Sequence, residues 1–435
     1  MPEAVYRVVT LLCAVVKTVP IGTNLGLVEV LWMLVSGRLL ATRGALIPGL
    51  AETGLADAAV RRAWAAIGHG AWTSERLLTS WAAQIAQEQR WQASCYEDYR
   101  PLAVDVTAFW RPRLHDCPTR HYSAEAGKAL PAIPLGIIGR IGRVGSQRLG
   151  VLVRLVRADQ SDPSPGAHRQ ALLREAAAQR APQEVVVGDR EFGVADMQAA
   201  GIPAFVVRLR KNCTARRATP PPYGGRGRPP IHGVLVRPLA RRRGAREFPA
   251  TPSDQSTSWE EEEEEDRQIR AEQWTDLVLP DAPANAPSFA VIAIFDPKYH
   301  DPLLLATPLP LSPRAARDLY KDRWPVEQLP LAAKQMTGAA RQFVHEPETC
   351  QRLPELSLLA GSVLSYAAAT QPAVPVGFWD RHPRPTPGRL RRLLARSLFP
   401  TEFPWPERIR QKAAVTAHLP KGASAHHPES TREAA

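Results

Sequence analysis

The chain has 435 residues, and at about 150 residues per domain this length predicts two or three domains. Hydrophobic residues make up 44% and charged residues 23%, a balance close to that of ordinary globular proteins, so wholesale disorder is excluded. Lys and Arg number 55 against 43 Asp and Glu, a formal net charge of +12, which favours a polyanionic partner and says nothing about fold.

The 42 prolines require long non-helical connections and exclude an all-helical bundle. Five cysteines (Cys13, Cys95, Cys117, Cys213 and Cys350) lie far apart with no C-x-x-C pair. That is the pattern of buried, reduced thiols rather than of a disulfide framework or a zinc site. The apolar run 8–16 is bounded by Arg7 and Lys17, and the run 25–35 contains Glu29; both fall short of the ~20 residues of a membrane span. A basic start and a small-residue cleavage site are both missing, so no signal peptide is expected. The expected location is cytoplasmic.

Residues 1–98 read as a helical N-terminal domain, with apolar residues three and four apart through Val8, Leu11, Leu12 and Val15 and again through Leu27, Val30, Leu31 and Leu34. Within it, 44–67 suggest two helices around a Thr53-Gly54 turn, with Arg61 and Arg62 on the second. This is either a helix-turn-helix that contacts DNA ends or an ordinary helical hairpin. Nine basic against eight acidic residues over 1–100 leave the region without an electrostatic footprint.

From about residue 100 the pattern changes to strands. The run 102–109 is β-rich with one charge, Asp105, and 133–157 look like two strands joined at Gly145-Ser146. A helix is expected over 167–180, then a buried-type strand over 184–189 that ends in Asp189, a short helix over 194–200 and a strand over 204–210. This order predicts an α/β fold with a mixed sheet. Between 208 and 246 there are twelve basic residues and no acidic one, followed by the acidic run 260–266; such blocks are commonly solvated. Apolar strand-like pieces at 289–295 and 303–306 indicate that part of 211–311 is a folded, β-rich and basic insertion. The segment 371–435 reads as a basic, Pro-rich tail, with one amphipathic helix over 388–399 and disorder from about 420.

Ser312-Pro313 opens the most informative helix, as N-cap and first helical residue. Tyr320, Arg323, Glu327 and Lys334 fall within an arc of about 60° on it at about 100° per residue. One face then carries an acid, two cations and a phenol; a single Arg323–Glu327 pair would be an ordinary solvated feature. Pro325 and Pro330 are expected to kink this helix. Asp105 and Asp189 lie on strands whose ends are the usual ligand rim of an α/β sheet. Two Asp and one Glu there would offer hard oxygen ligands to Mg²⁺ or Mn²⁺, two ions of which can act on a phosphodiester. Arg323 and Lys334 would hold phosphates.

The segment YKDRWPVEQLPLAAK, 320–334, resembles the Y-R-E-K signature of the insertion-sequence-four-like branch of bacterial insertion-sequence DDE transposases, with all four fixed residues at their spacings. AVDVTAF around Asp105 and VVVGDREFG around Asp189 are similar to the family's first two acidic motifs. The resemblance covers about 100–370. It implies an RNase H-like catalytic core over 99–370, interrupted by the insertion at about 211–311. It also implies Asp105, Asp189 and Glu327 as the metal-binding catalytic triad, and Tyr320, Arg323 and Lys334 as the grip on DNA. The expected activity is metal-dependent cleavage of transposon ends and strand transfer into target DNA by a homodimer. The alternatives are a catalytically inactive DNA-binding relative and a nuclease on the same fold. Arg226 and Arg228, in an R-G-R-P stretch, would lie along a minor groove. Trp259 and Trp274 either stack on an unpaired base or pack locally.

Overall fold

The computed structural model describes residues 1–411 apart from 226, 228, 262–266, 374 and 376. Arg226 and Arg228, most of the acidic run and the tail expected to be disordered therefore lie outside the described residues. Among the described residues no helix is long and apolar enough to cross a membrane.

The N-terminal region is helical: α1 (Glu3–Val15), α2 (Thr23–Val35), α3 (Arg38–Ala41), α4 (Leu46–Ala51), α5 (Asp57–His69) and α6 (Ser74–Glu88). Helix α2 is buried almost all round, including Glu29, whose charge is met by Arg62 of α5. The Thr53-Gly54 turn joins α4 to α5 with Gly54 at φ +84. One of the two arginines offered to DNA in the sequence reading is thus spent on an internal ion pair.

A mixed sheet follows. After the short β1 (Gln92–Ala93), β2 (Arg100–Trp110) lies between β4 (Lys128–Val144), antiparallel, and β6 (Glu184–Gly188), parallel. β5 (Gln147–Arg157) pairs β4 through the expected hairpin at Gly145, and β7 (Phe205–Arg208) runs parallel to β6. The short β3 (Arg120–Ser123), which the sequence reading missed, folds back on the start of β4. Helices α7 (Pro165–Gln179) and α8 (Val194–Ala199) supply the crossovers and share a core with Leu102, Val104, Ile138 and Val186 on one sheet face.

The insertion does not form a separate body. Its strands β8 (Ala215–Arg217), β9 (Leu235–Val236), β12 (Gln255–Glu260), β13 (Gln268–Val278), β14 (Phe289–Phe295) and β15 (Leu303–Thr307) continue the same sheet, because β15 pairs antiparallel with β7. β10 (Arg241–Arg243) and β11 (Arg246–Phe248) form a separate two-stranded ribbon. Trp274 is fully buried and its indole N–H donates to the Thr251 and Pro252 carbonyls, at 3.1 and 3.0 Å. It packs locally and is not open to a base.

Past the insertion the chain returns under the other face of the sheet. Ser312 caps α9 (Pro313–Lys321) by accepting from the Ala315 N–H at 3.2 Å. A single helix through Lys334 was expected; instead the chain turns at 322–324, restarts as α10 (Pro325–Leu331) and ends in one π-helical turn, Ala332–Met336. Pro325 and Pro330 have no N–H to give to the carbonyls one turn back. The break is bridged by tighter bonds, Val326 N–H to Arg323 and Glu327 N–H to Trp324, both at 3.0 Å. Helix α11 (Pro347–Ala369) then runs through a core shared by α1, α2, α5, α6 and the sheet residues Ile137, Leu152 and Leu155. α12 (Pro387–Leu394), shorter than the 388–399 expected, and α13 (Glu407–Arg410) close over the N-terminal helices.

Two glycines seat α10 on the sheet. A Cβ on Gly150 would lie 3.0 Å from the Pro325 carbonyl oxygen, and one on Gly139 would lie 3.4 Å from Val326 and 3.5 Å from Leu329. Gly150→Val is expected to push α10 away and to destabilise by about 1–3 kcal/mol, as overpacking does. Equilibrium denaturation that leaves the variant as stable as the parent would show that α10 does not depend on this contact.

Candidate active site

Strand alternation sets the positions of the carboxylates. In β2, Leu102 and Val104 face the α7 core, while Ala103 and Phe109 face the α10 and α11 side. Asp105 and Thr107 share the latter face. In β6, Val186 joins the α7 core, whereas Val185 and Val187 pack with Ala315, Ala316 and Leu319 of α9. Asp189, two residues beyond Val187, continues on that side.

Register brings the two together. Ala103 of β2 pairs Val187 of β6, the last pair of the parallel ladder, so Asp105, two residues further along β2, lies toward Asp189, the first residue past the end of β6. α10 crosses β2, β4 and β5 on the same face and carries Glu327 above them. The structure therefore brings Asp105, Asp189 and Glu327 within electrostatic reach of one another. Burial pushes the Asp105 carboxyl up to about 7; the Arg323 guanidinium opposes the rise, and the charges of Asp189 and Glu327 add to it. The backbone N–H of Glu191 donates to Asp189 at 2.8 Å.

The basic residues of the 320–334 segment converge on the same place in spite of the broken helix. Arg323 is 7% exposed, lies 5.8 Å from the centre of the Tyr320 ring and forms an ion pair with Glu327. Burial works against its charge, yet Tyr320, Glu327 and Asp105 together hold its pKa above the ordinary value. Its Nη1 is buried without a hydrogen-bond partner. The Lys334 ammonium, delivered by the π turn, donates to the Thr107 hydroxyl at 2.8 Å and lies 5.3 and 4.9 Å from the Phe109 and Trp110 rings. Burial lowers its pKa to about 8, and Asp105 resists that fall.

Thr107, Phe109, Trp110 and His121 belong to this cluster and were missed. Alternation from Asp105 could have found Thr107 and Phe109. His121 had no such signal: it arrives from β3, beside Trp110, and its imidazole pKa is lowered by burial and by Lys334. The corner between α9 and α10 is fixed by Asp322, which is buried and is reached by the Tyr96 hydroxyl and by Arg148 at 3.4 Å.

The donor chemistry fits hard divalent cations: three carboxylates, with no thiol or imidazole among them. The electrostatics fit too, since burial first and then the like charges of Asp189 and Glu327 push the Asp105 carboxyl up to about 7, and a cation would relieve both. Among the described residues, however, no three His, Cys, Asp or Glu groups converge on one point. Glu327 is turned to Arg323, so an ion held by all three would have to compete with that pair.

A test follows from Asp105. Its folded pKa stands above the unfolded one, so its contribution to stability is complete below the unfolded value of about 3.9 and is lost as the pH rises through 7. Asp105→Asn should therefore raise the melting temperature of metal-free protein at pH 8, with the gain vanishing toward pH 4. Mn²⁺ should stabilise the parent more at pH 8 than at pH 5.5, and Asp105→Asn only weakly at either. Equal Mn²⁺ shifts in both proteins would separate Asp105 from any cation site. No protein-family model matches this chain, and neither does any curated protein.

Proposed function

We propose that the protein is a DDE transposase that cuts transposon ends and joins them to target DNA, acting in the cytoplasm as a homodimer on double-stranded DNA. The observation that carries this reading is Asp105 on β2 within electrostatic reach of Asp189, just past the end of the neighbouring parallel strand β6, and of Glu327 on the helix that crosses this face. An RNase H-like core is supported by the sheet order β5, β4, β2, β6, β7, with the first three strands antiparallel and the last three parallel. The Y-R-E-K spacing adds to it.

Asp105, Asp189 and Glu327 would hold Mg²⁺ or Mn²⁺, and two such ions supply activation of an attacking oxygen and stabilisation of a leaving oxygen. The chain's own part is positional. Arg323 offers its unpartnered Nη1 to a phosphate oxygen, and Tyr320 supports the guanidinium from one side. Lys334, aligned by Thr107 and backed by two aromatic rings, presents a point charge to the same backbone. The aromatic floor and the buried flank of α10 exclude water from behind the scissile group.

A second reading, a catalytically silent DNA-binding relative, is favoured by the tie between Glu327 and Arg323. Glu327→Gln decides between them. It is expected to lower end cleavage by at least about a hundredfold, the scale of losing one electrostatic contributor, with DNA affinity changed little. Cleavage at the parental rate would reject the assignment. Following cleavage together with joining to a target plasmid separates a transposase from a nuclease on the same fold.

Lys334 gives a pH signature. With its pKa near 8 the ammonium is charged at pH 7 and largely neutral at pH 9. Affinity for end DNA should fall across that interval, and Lys334→Arg should flatten the profile because guanidinium stays charged. A parent profile that is already flat would remove Lys334 from the DNA contact.

A further inference from the structure

The β10–β11 ribbon concentrates charge in a way no internal need explains. Its register sets Arg241 opposite Phe248 and Arg243 opposite Arg246, so these four lie on one face, while Arg242 and Glu247 occupy the other. Three guanidinium groups surround the Phe248 ring: Arg237, Arg241 and Arg246, with centre distances of 5.4, 5.2 and 5.0 Å. Arg241, Arg243 and Arg246 are exposed. Among the described residues none of these four arginines has a carboxylate partner; Arg241 donates only to the Asn212 carbonyl, at 3.3 Å. Like charges gathered round one ring without a counterion repel, and the cluster is relieved by an anion from outside.

Basic residues also lie between the segment after Asp189 and the chain at the ribbon's base. A cavity of about 390 Å³ is lined by Arg190 and Glu191, which follow Asp189 directly, by Asp196 and apolar side chains, and by Arg208, Arg210 and Pro238 toward the ribbon's base. A neighbouring cavity of about 440 Å³ is lined by Arg190, Arg208, Arg210 and Lys211. Lys211 pairs with Asp301, but Arg190, Arg208 and Arg210 add cations beside the arginine ribbon, and such a grouping suits a molecule that carries phosphates along its length. A two-stranded ribbon is also a shape that a DNA major groove admits.

We propose that β10–β11 is a clamp for duplex DNA, holding backbone phosphates with Arg241, Arg243 and Arg246 on the stretch that leads away from the acidic rim. Phe248 keeps the guanidinium planes spread and ready, which lowers the entropy lost on binding. This rests on the reading of the protein as a DNA-processing enzyme, and names the surface by which it takes hold.

The test uses the full chain and a fluorescent 40-base-pair duplex (a length of about four helical turns), with affinity measured from 50 to 200 mM salt. Each phosphate contact contributes about 0.9 to the slope of log affinity against log salt. The triple change R241A/R243A/R246A should reduce that slope by about 2 to 3, and R241K/R243K/R246K should restore it. The altered residues are exposed, and a thermal melt matching the parent's confirms that the fold is kept. An unchanged slope in the alanine variant overturns the clamp, whatever the parent's catalytic activity. A parent that binds with a steep, ribbon-dependent slope but never cuts would uphold the clamp and sink the transposase reading. A parent with no salt-dependent affinity would sink both.

Discussion

The burial of Asp105 beside the charges of Asp189 and Glu327, at one rim of the sheet, is the constraint to which the surrounding chain is fitted. A buried carboxylate with like charges within electrostatic reach stays ionised only where cations stand close by. Arg323 and Lys334 meet part of that demand, Arg323 buried and Lys334 half-buried, each at a cost to its own charge. Their placement depends on α10 lying close against the sheet, which Gly139 and Gly150 permit. The two prolines that spoil the helix also aim it. The π turn that follows carries Lys334 to Thr107, beside Asp105.

The insertion is tied to this arrangement through a second charge system. Arg317 of α9, almost fully buried, reaches Asp296 at 3.1 Å at the end of β14 and Glu261 at 2.7 Å just after β12. Arg267 pairs with the same Asp296. Strands that extend the sheet therefore register directly on the helix that bears Tyr320. Buried ion pairs of this sort do more to fix geometry than to add stability.

Much of the central sheet was legible because its signals are local. The alternation through Asp105, the Gly145 turn, the Val185–Val187 run and the Ser312-Pro313 start each depend on a few neighbouring residues. The convergence of the 320–334 side chains was also legible, although the wheel that suggested it assumed a helix that Pro325 and Pro330 break. What escaped the sequence reading was long-range. Nothing near 120–123 announces that His121 will approach Lys334, and nothing in the Arg-rich stretch announces that β15 will join the insertion to β7. The fate of Arg62, spent on Glu29, and of Trp274, sunk into the core, depended on packing partners far along the chain.

The two ends of the described chain are laced around α11. The Asn24 side chain donates to the Arg408 carbonyl at 2.9 Å, and Ile409 belongs to the same core as Val5, Leu27 and Leu359. Helices α1 and α2 pack on α5 and α6 of their own region, but their remaining cover, α11 and the segment around Arg408, comes from far along the chain, and the Asn24–Arg408 bond spans 384 residues. Without α11 the apolar helix α2, buried almost all round in the folded protein, is only partly covered, and contacts of such sequence separation form slowly. Apolar surface that closes late in folding favours association, so refolding yield is expected to fall as protein concentration rises.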